Sequence, residues 1–240
     1  MLINYENVDI YQEDTCILNN VCFHAEEGEF IYIIGKVGSG KSSLLKTLYC
    51  ELDVETNADC EQSKAEILGY DLTKIKRKEI PSLRRELGII FQDFQLLHDK
   101  SVCKNLEFVL KATGWKDKKD IATRIDEVLK LVEMEHKKDK MPHELSGGEQ
   151  QRIAIARSLL NEPKIIIADE PTGNLDKDTA EHIVELLKNI SQQGTAIIMT
   201  THNISMIDKY PGVVYCCSEK EIKDVTKEYN KIKIDIAENN

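Results

Sequence analysis

Long apolar runs are missing from this sequence, and so is any excess of positive charge. The longest apolar stretches, such as Phe30–Ile34 and Ile165–Ala168, are far shorter than the roughly 18 residues that suggest a membrane span. The N-terminus has no basic region ahead of an apolar core, so no secretory signal is expected. Lysine and arginine total 32 against 42 aspartate and glutamate, which gives a net charge of −10. The short apolar runs exclude a membrane-spanning chain. Because contacts to nucleic-acid phosphates need Lys and Arg in excess, we do not expect a nucleic-acid partner either.

Patterns for metal ligands and disulfides are also missing. No CxxC pair occurs, no histidines are spaced as metal ligands, and the seven cysteines are scattered. We therefore expect free thiols in a reducing cytosol, with the vicinal pair Cys216–Cys217 as a redox-active alternative. The hydrophobic share of 41% excludes a disordered chain, and the length of 240 residues indicates one or two domains.

Short apolar runs alternate with segments of helical periodicity. Most of the runs show little internal alternation, which favours strands buried on both faces, as in a parallel sheet covered by helices. An N-terminal β-layer, a surface loop at 51–64 and a charged tail after 219 complete the predicted α/β fold. The predicted strands are 3–10, 17–23, 29–34, 87–91, 165–169 and 196–200. One predicted helix begins near 41, an amphipathic one lies within 118–134, and two more span about 147–160 and 177–193.

A glycine-rich segment matches the pattern GxxxxGK[ST] between a predicted strand and a predicted helix. That context indicates a P-loop, in which glycines let the backbone wrap around an anion and the helix N-terminus adds positive potential. We expect Lys41 to reach the β- and γ-phosphates and the Ser42 hydroxyl to bind Mg²⁺. The predicted ATP-binding residues are Gly35, Lys36, Val37, Gly38, Ser39, Gly40, Lys41, Ser42 and Ser43.

Two carboxylates end the apolar strand predicted at 165–169. In a fold with a P-loop, this end of the strand faces the magnesium ion. We expect Asp169 to hold the metal through water, and Glu170 to act as general base on the attacking water. Together with the P-loop, the pair predicts a nucleotide hydrolase.

A third motif, LSGGEQQR at 145–152, opens another predicted helix. Ser146 is expected as its N-cap, and Gly147 and Gly148 leave bare amides that suit an anion. This segment resembles the signature motif of the ATP-binding-cassette (ABC) ATPases. In that family the motif contacts the γ-phosphate of the nucleotide held by the other protomer. Glu149 stands where many cassettes have glutamine.

The remaining motifs of that family follow in order. Gln92 resembles the Q-loop glutamine, which links Mg²⁺ and the nucleophilic water to the partner interface. Asp176 resembles the D-loop aspartate of the dimer interface, and His202 resembles the switch histidine that contacts the γ-phosphate. Tyr11 resembles the aromatic that stacks on adenine; its spacing from Val8 is one residue short, and a plain strand tyrosine is the alternative.

The resemblance covers about residues 2–218 and implies a P-loop NTPase with a RecA-like core and an antiparallel β-subdomain. It places an inserted helical subdomain at about 93–151 and leaves 219–240 as a charged tail. Each chain would carry two separate half-sites, the P-loop and the signature motif, and a complete nucleotide site would need one of each from two chains. The resemblance therefore implies a head-to-tail homodimer with ATP and Mg²⁺ at both seams.

The segments 80–97 and 99–105 resemble the FtsE branch of this family, which acts in cell division. That branch implies an integral membrane partner of the FtsX type that controls cell-wall hydrolases, and a cytoplasmic chain, peripheral on the inner face of the membrane. The motif at 171–176 also fits ATPases of lipoprotein-releasing or macrolide- and peptide-exporting transporters, which are the alternative. A soluble cassette acting on DNA or ribosomes usually carries tandem cassettes or a long coiled coil, and neither is present. Glu170 and His202 argue against a non-hydrolysing scaffold.

Overall fold

The computed structural model describes residues 1–56 and 63–228, which form two β-sheets and their covering helices. The strands are β1 (Ile3–Gln12), β2 (Thr15–Ala25), β3 (Phe30–Ile34), β4 (Val54–Thr56), β5 (Lys64–Ile67), β6 (Tyr70–Asp71), β7 (Leu87–Ile90), β8 (Ile165–Ala168), β9 (Ala196–Thr200), β10 (Val213–Ser218) and β11 (Glu221–Asp224). The α-helices are α1 (Lys41–Leu48), α2 (Ile80–Arg85), α3 (Val102–Ala112), α4 (Lys118–Leu131), α5 (Gly147–Leu159), α6 (Lys177–Gln192) and α7 (Ile204–Lys209).

The N-terminal sheet is antiparallel, with the order β2-β1-β5-β6 and β4 paired to β1. Its strands alternate buried and more exposed residues, as a sheet with one covered face requires. The buried side chains on β1 are Ile3, Tyr5, Val8 and Ile10, and they join those of β2 in the core. This sheet confirms the predicted N-terminal β-layer.

The central sheet has the order β11-β10-β3-β9-β8-β7, and all its pairs except β10–β11 are parallel. Its two faces belong to different cores. Ile166 and Met199 pack with the helices α3 to α6, whereas Ile165 and Ile198 pack with α1 and the N-terminal sheet. Burial on both faces explains why these strands lack alternation in the sequence, and the predicted α/β class is confirmed.

The segment 93–151 contains α3, α4 and two short 3-10 turns, Glu135–Lys137 and Pro142–Glu144. In α4 the apolar residues Ile121, Ile125, Val128 and Leu129 recur at helical spacing, and all four are buried. Asp117 caps this helix by accepting hydrogen bonds from two backbone amides of its first turn. The amphipathic helix predicted within 118–134 is therefore present, as Lys118–Leu131.

Two predicted irregular segments contain strands. The predicted loop at 51–64 includes β4, whose residues Val54–Thr56 pair with β1; residues 57–62 lie outside the described ranges. The predicted tail after 218 begins with β11, which extends the central sheet as the antiparallel partner of β10. Both strands are short and lie beside longer strands, so tertiary pairing rather than a local apolar run holds them in place. Residues 229–240 lie outside the described ranges.

Six of the cysteines fall in the described ranges, and all six are free thiols, as predicted. The seventh, Cys60, lies outside those ranges. In the same described part of the chain, no helix combines the length and apolar character needed to cross a membrane.

Candidate active site

The site lies at the edge of the central sheet where its parallel strands end. Residues 35–40 follow β3 and lead into α1, the acidic pair follows β8, and His202 follows β9. In the sheet, β9 lies between β3 and β8. The topology therefore brings these three separate motifs to neighbouring positions, because parallel strands present their carboxyl ends at one edge.

The glycine-rich loop is closed by its own lysine. Lys41 is only 5% exposed, and its Nζ donates to the carbonyl oxygens of Gly35 at 2.9 Å and Lys36 at 3.0 Å. Gly35 has φ +146°, and a Cβ there would lie 2.4 Å from the Cys217 carbonyl oxygen, so only glycine fits. Gly40 caps α1 without a side-chain hydrogen bond, which leaves the first amides of the helix facing the loop. The loop is thus built to bind an anion.

A cavity of about 380 Å³ opens at this loop. Gln92, Glu170 and His202 line it together with the loop, so the structure unites these three predicted residues with the predicted phosphate site. Its lining residues are Gln12, Ile17, Val37, Gly38, Gly40, Lys41, Ser42, Ser43, Gln92, Glu170 and His202.

Tyr11 does not line this cavity, whereas its neighbour Gln12 and the residue Ile17 of β2 do. Side chains alternate between the faces of a strand, and the β1–β2 register shifts between Ile10 and Tyr11. The sequence does not show that shift, so Gln12 and Ile17 were missed. The adenine-stacking role of Tyr11 stays a prediction.

A buried threonine orders the acidic pair. Thr200 donates from Oγ1 to Asp169 Oδ1 at 2.7 Å, and its Oγ1 accepts from the Glu170 backbone N–H at 2.7 Å. Thr200 is fully buried at the end of β9. Sequence reasoning missed this residue, because a threonine at a strand end carries no pattern of its own. These contacts fix the carboxylate of Asp169 and the backbone of Glu170.

Glu170 and His202 are in direct contact. His202 Nε2 lies 2.7 Å from Glu170 Oε1, and the two side chains are 41% and 24% exposed. Glu170 adopts φ +45°, a left-handed conformation that is costly for a residue with a side chain and is typical of functional positions. The second carboxylate oxygen of Glu170, Oε2, faces Gly173, and so does Gln92 Nε2. A Cβ at Gly173 would lie 3.4 Å from Glu170 Oε2 and 3.5 Å from Gln92 Nε2. The imidazole therefore orients a carboxylate that points into the cavity.

The LSGGEQQR segment forms a capped helix start, as predicted. Ser146 Oγ accepts from the Glu149 backbone N–H, and Glu149 Oε2 accepts from the Ser146 N–H at 2.8 Å, which is a capping box. Lys137 lies 2.8 Å from the other Glu149 oxygen, and this lysine, followed by the Ser146 amide, lowers the pKa of Glu149. A Cβ at Gly148 would lie 2.4 Å from Thr179 Cγ2, so this glycine allows α5 to approach α6.

The structure does not bring the signature residues or Asp176 to the cavity of their own chain. Neither Ser146, Gly147, Gly148 nor Glu149 is among its lining residues. Asp176 caps α6 instead, accepting from the Thr179 N–H at 3.0 Å and from Thr179 Oγ1 at 2.7 Å, contacts that lower its pKa.

The residues proposed for Mg²⁺ fit that ion by their chemistry. Ser42 and Gln92 supply neutral oxygens at the cavity. Asp169 is not among the lining residues, but it directly precedes Glu170 and supplies a carboxylate whose orientation Thr200 fixes. The described ranges contain no cluster of three or more His, Cys, Asp or Glu side chains that could hold a metal. This donor set suits magnesium, which proteins bind through few side chains together with water and substrate phosphates.

Three features define a P-loop nucleoside triphosphatase. A phosphate loop opens α1, Gln92 lines the cavity at that loop, and a carboxylate pair follows β8, which lies two strands from β3 in the sheet. Comparison with protein-family models matches residues 18–173 to the family described as ABC transporter. The chain belongs to this family, and it is an ATPase.

Known relatives agree with this assignment. The chain is 44% identical over 198 residues to the cell division ATP-binding protein FtsE of Streptococcus pneumoniae, covering 82% of this chain and 83% of that protein. It is 42% identical over 200 residues to FtsE of Bacillus subtilis, covering 82% and 84%. It is 38% identical over 209 residues to FtsE of Escherichia coli, covering 87% and 91%.

Solved structures show the same fold. CbiO1 from Clostridium perfringens, part of an ABC transporter complex, has a TM-score of 0.86 at 30% identity, covering 99% of this chain and 93% of that one. The dimeric cassette MJ0796, in a post-hydrolysis state bound to ADP and Pi, has a TM-score of 0.78 at 31% identity, covering 93% and 98%. The ABC fold expected from the motifs is therefore confirmed.

Proposed function

We propose that this chain is the ATP-hydrolysing subunit of an FtsEX-like complex that acts in cell division. The single observation that carries the hydrolytic part is the Glu170–His202 contact inside the phosphate-loop cavity. The assignment to cell division is supported by the similarity to the cell division proteins FtsE over most of the chain. Steady-state phosphate release from ATP by the purified chain tests the hydrolytic part.

Hydrolysis follows from the positions of the side chains. Lys41 and the first amides of α1 bind the phosphates. Ser42, Gln92 and Asp169 would hold Mg²⁺, which would supply positive charge to neutralise the charge that develops on the phosphates. Glu170 takes a proton from the attacking water, whose oxygen forms the new bond to the γ-phosphorus. The bond to the β–γ bridging oxygen breaks, and its electron pair leaves with ADP. His202 keeps the Glu170 carboxylate aimed at that water and contacts the γ-phosphate.

The complete site needs a second copy of the chain. The capped start of α5 has the amides and dipole that bind an anion, yet it contributes nothing to its own cavity. A head-to-tail dimer would place Ser146 to Glu149 of one protomer over the phosphates of its partner, with Asp176 at the seam. The dimeric cassette among the similar structures supports this arrangement.

We further propose that a membrane subunit of the FtsX type docks beside α3. Phe108 is 53% exposed there, in a groove that also includes Lys104, Lys111 and Met141. Exposed aromatic and Met side chains are enriched at protein interfaces. Docking at this groove would hold the chain in the cytoplasm, against the inner face of the membrane. ATP-driven closure of the dimer would then act on the partner, which regulates cell-wall hydrolysis.

Replacing Phe108 with Asp is expected to abolish capture of the membrane subunit from detergent-solubilised membranes. A charge in the centre of an apolar contact costs binding energy, so we expect a loss of about 100-fold or more in affinity. ATP hydrolysis by the isolated chain should not change. Leu131→Asp is the matched control, because Leu131 is 48% exposed but lies on α4.

Retained capture by the Phe108→Asp chain would contradict this docking surface. The identity of the captured subunit separates the two candidate complexes. A subunit of a lipoprotein-releasing or macrolide-exporting transporter would replace the cell-division assignment and leave the ATPase intact.

A further inference from the structure

Gln151 is a fully buried side chain whose amide has no hydrogen-bond partner. It lies one turn into α5, is 0% exposed, and neither Nε2 nor Oε1 is paired. In the described ranges it is the only side chain with two such atoms. Buried polar groups in proteins are nearly always hydrogen-bonded, and an unpaired amide destabilises the arrangement that contains it.

Helix geometry shows what this amide faces. Side chains three and four residues apart share a face of a helix, so Gln151 lies on the face of Gly147 and Gly148. The Cβ position of Gly147 is 3.4 Å from Leu175 and 3.9 Å from Phe94, and that of Gly148 contacts Thr179. Gln151 is therefore directed toward the seam where α5 meets the loop after β7 and the start of α6.

The loop after β7 (residues 93–95) is itself strained. Phe94 and Gln95 have φ values of +61° and +47°, and the Gln95 N–H bonds to the Asp93 carbonyl at 2.7 Å, which closes a three-residue turn. Such turns with positive φ are rare and costly. Arg157, on the same helix as Gln151, donates to the Phe94 and Gln95 carbonyls and holds the loop in this form. A second form of the loop would relieve strain and free backbone groups that an amide can bind.

We propose that Gln151 is a positioning residue that hydrogen-bonds the 93–95 loop when Gln92 moves to contact the phosphates. The unpaired Gln151 amide disfavours the loop form described above. New hydrogen bonds from that amide favour the second form of the 93–95 loop. Because Gln92 directly precedes the loop and Ser146 begins the helix that carries Gln151, this exchange would couple the two halves of the nucleotide site. The inference rests on the proposed role of Gln92 at the nucleotide.

The test replaces Gln151 with Met, which has a similar shape and no amide. Without nucleotide, the midpoint of thermal unfolding should rise by about 2–8 °C, because an unpaired buried polar group is removed. With ATP and Mg²⁺, kcat should fall by roughly 5- to 100-fold while KM stays unchanged, because only the coupling between sites is lost. Gln192→Met, at an exposed position of α6, controls for the substitution itself.

A lower unfolding midpoint, or failure to fold, would overturn the proposal, because the amide would then be paired in the arrangement described. An unchanged kcat would also overturn it. These failures differ from failure of the proposed function. If the unmodified chain releases no phosphate, the hydrolytic assignment fails, while the midpoint measured without nucleotide still decides whether Gln151 is unpaired.

Discussion

Replacing Glu170 with Gln should abolish ATP turnover and leave ATP binding intact. Glutamine keeps the shape and can still contact His202, but it cannot take a proton from water. General-base catalysis contributes about 10²–10⁴-fold, and we expect a loss of that size in kcat for phosphate release. Calorimetry of ATP binding should show an affinity close to that of the unmodified chain, because the phosphate contacts of Lys41 and α1 are unaffected.

The matched control for this change is Glu135→Gln, which removes an exposed carboxylate that does not line the cavity. It should release phosphate at the unmodified rate. If Glu170→Gln also turned over ATP at that rate, Glu170 would not be the base, and the contact with His202 would have to be structural.

The second large effect is expected for Lys41→Ala, which should lower ATP affinity by about 10- to 100-fold. A charge-assisted hydrogen bond to phosphate is lost, and such bonds are about twice as strong as neutral ones. Lys41 also ties the loop through the Gly35 and Lys36 carbonyls, so the loop loses its closed form. Calorimetry measures the affinity, and a thermal melt shows whether the rest of the chain stays folded.

Lys46→Ala is the control for Lys41→Ala. Lys46 lies on the same helix, is 46% exposed and pairs with Glu51 at 3.0 Å. Its loss should leave ATP affinity unchanged, because a surface ion pair contributes little. An unaltered affinity in Lys41→Ala would refute the phosphate-loop assignment.

Local chemistry made the central parts of this site predictable. The spacing of Gly35 to Ser42 requires a tight turn before a helix, and Ser146 is a residue type that favours a helix N-cap; both are present. The continuous apolar runs predicted a sheet buried on both faces, because no exposed face imposed alternation. In each case a short stretch of sequence contains the whole physical reason.

Other features depend on contacts between distant segments, and the sequence does not show them. Thr200 orders the acidic pair only because β9 lies beside β8. Gln12 reaches the cavity where the β1–β2 register shifts, which no local pattern marks. The strands β4 and β11 form on the edges of longer neighbours, and Gln151 is unpaired only because of what packs around it.

A nucleotide site shared between two chains can be tested by mixing two variants, each defective in a different half of the site. Ser146→Arg should keep the phosphate loop but block closure, because a bulky cation replaces the capping hydroxyl at the seam. Ser101→Arg, which removes the corresponding N-cap from α3, controls for loss of a cap alone. Differently tagged Ser146→Arg and Lys41→Ala chains are mixed with ATP and Mg²⁺ and then chemically crosslinked. We expect a heterodimer crosslink well above that of either variant alone, because the heterodimer has one complete seam. The absence of such an increase would contradict a head-to-tail dimer.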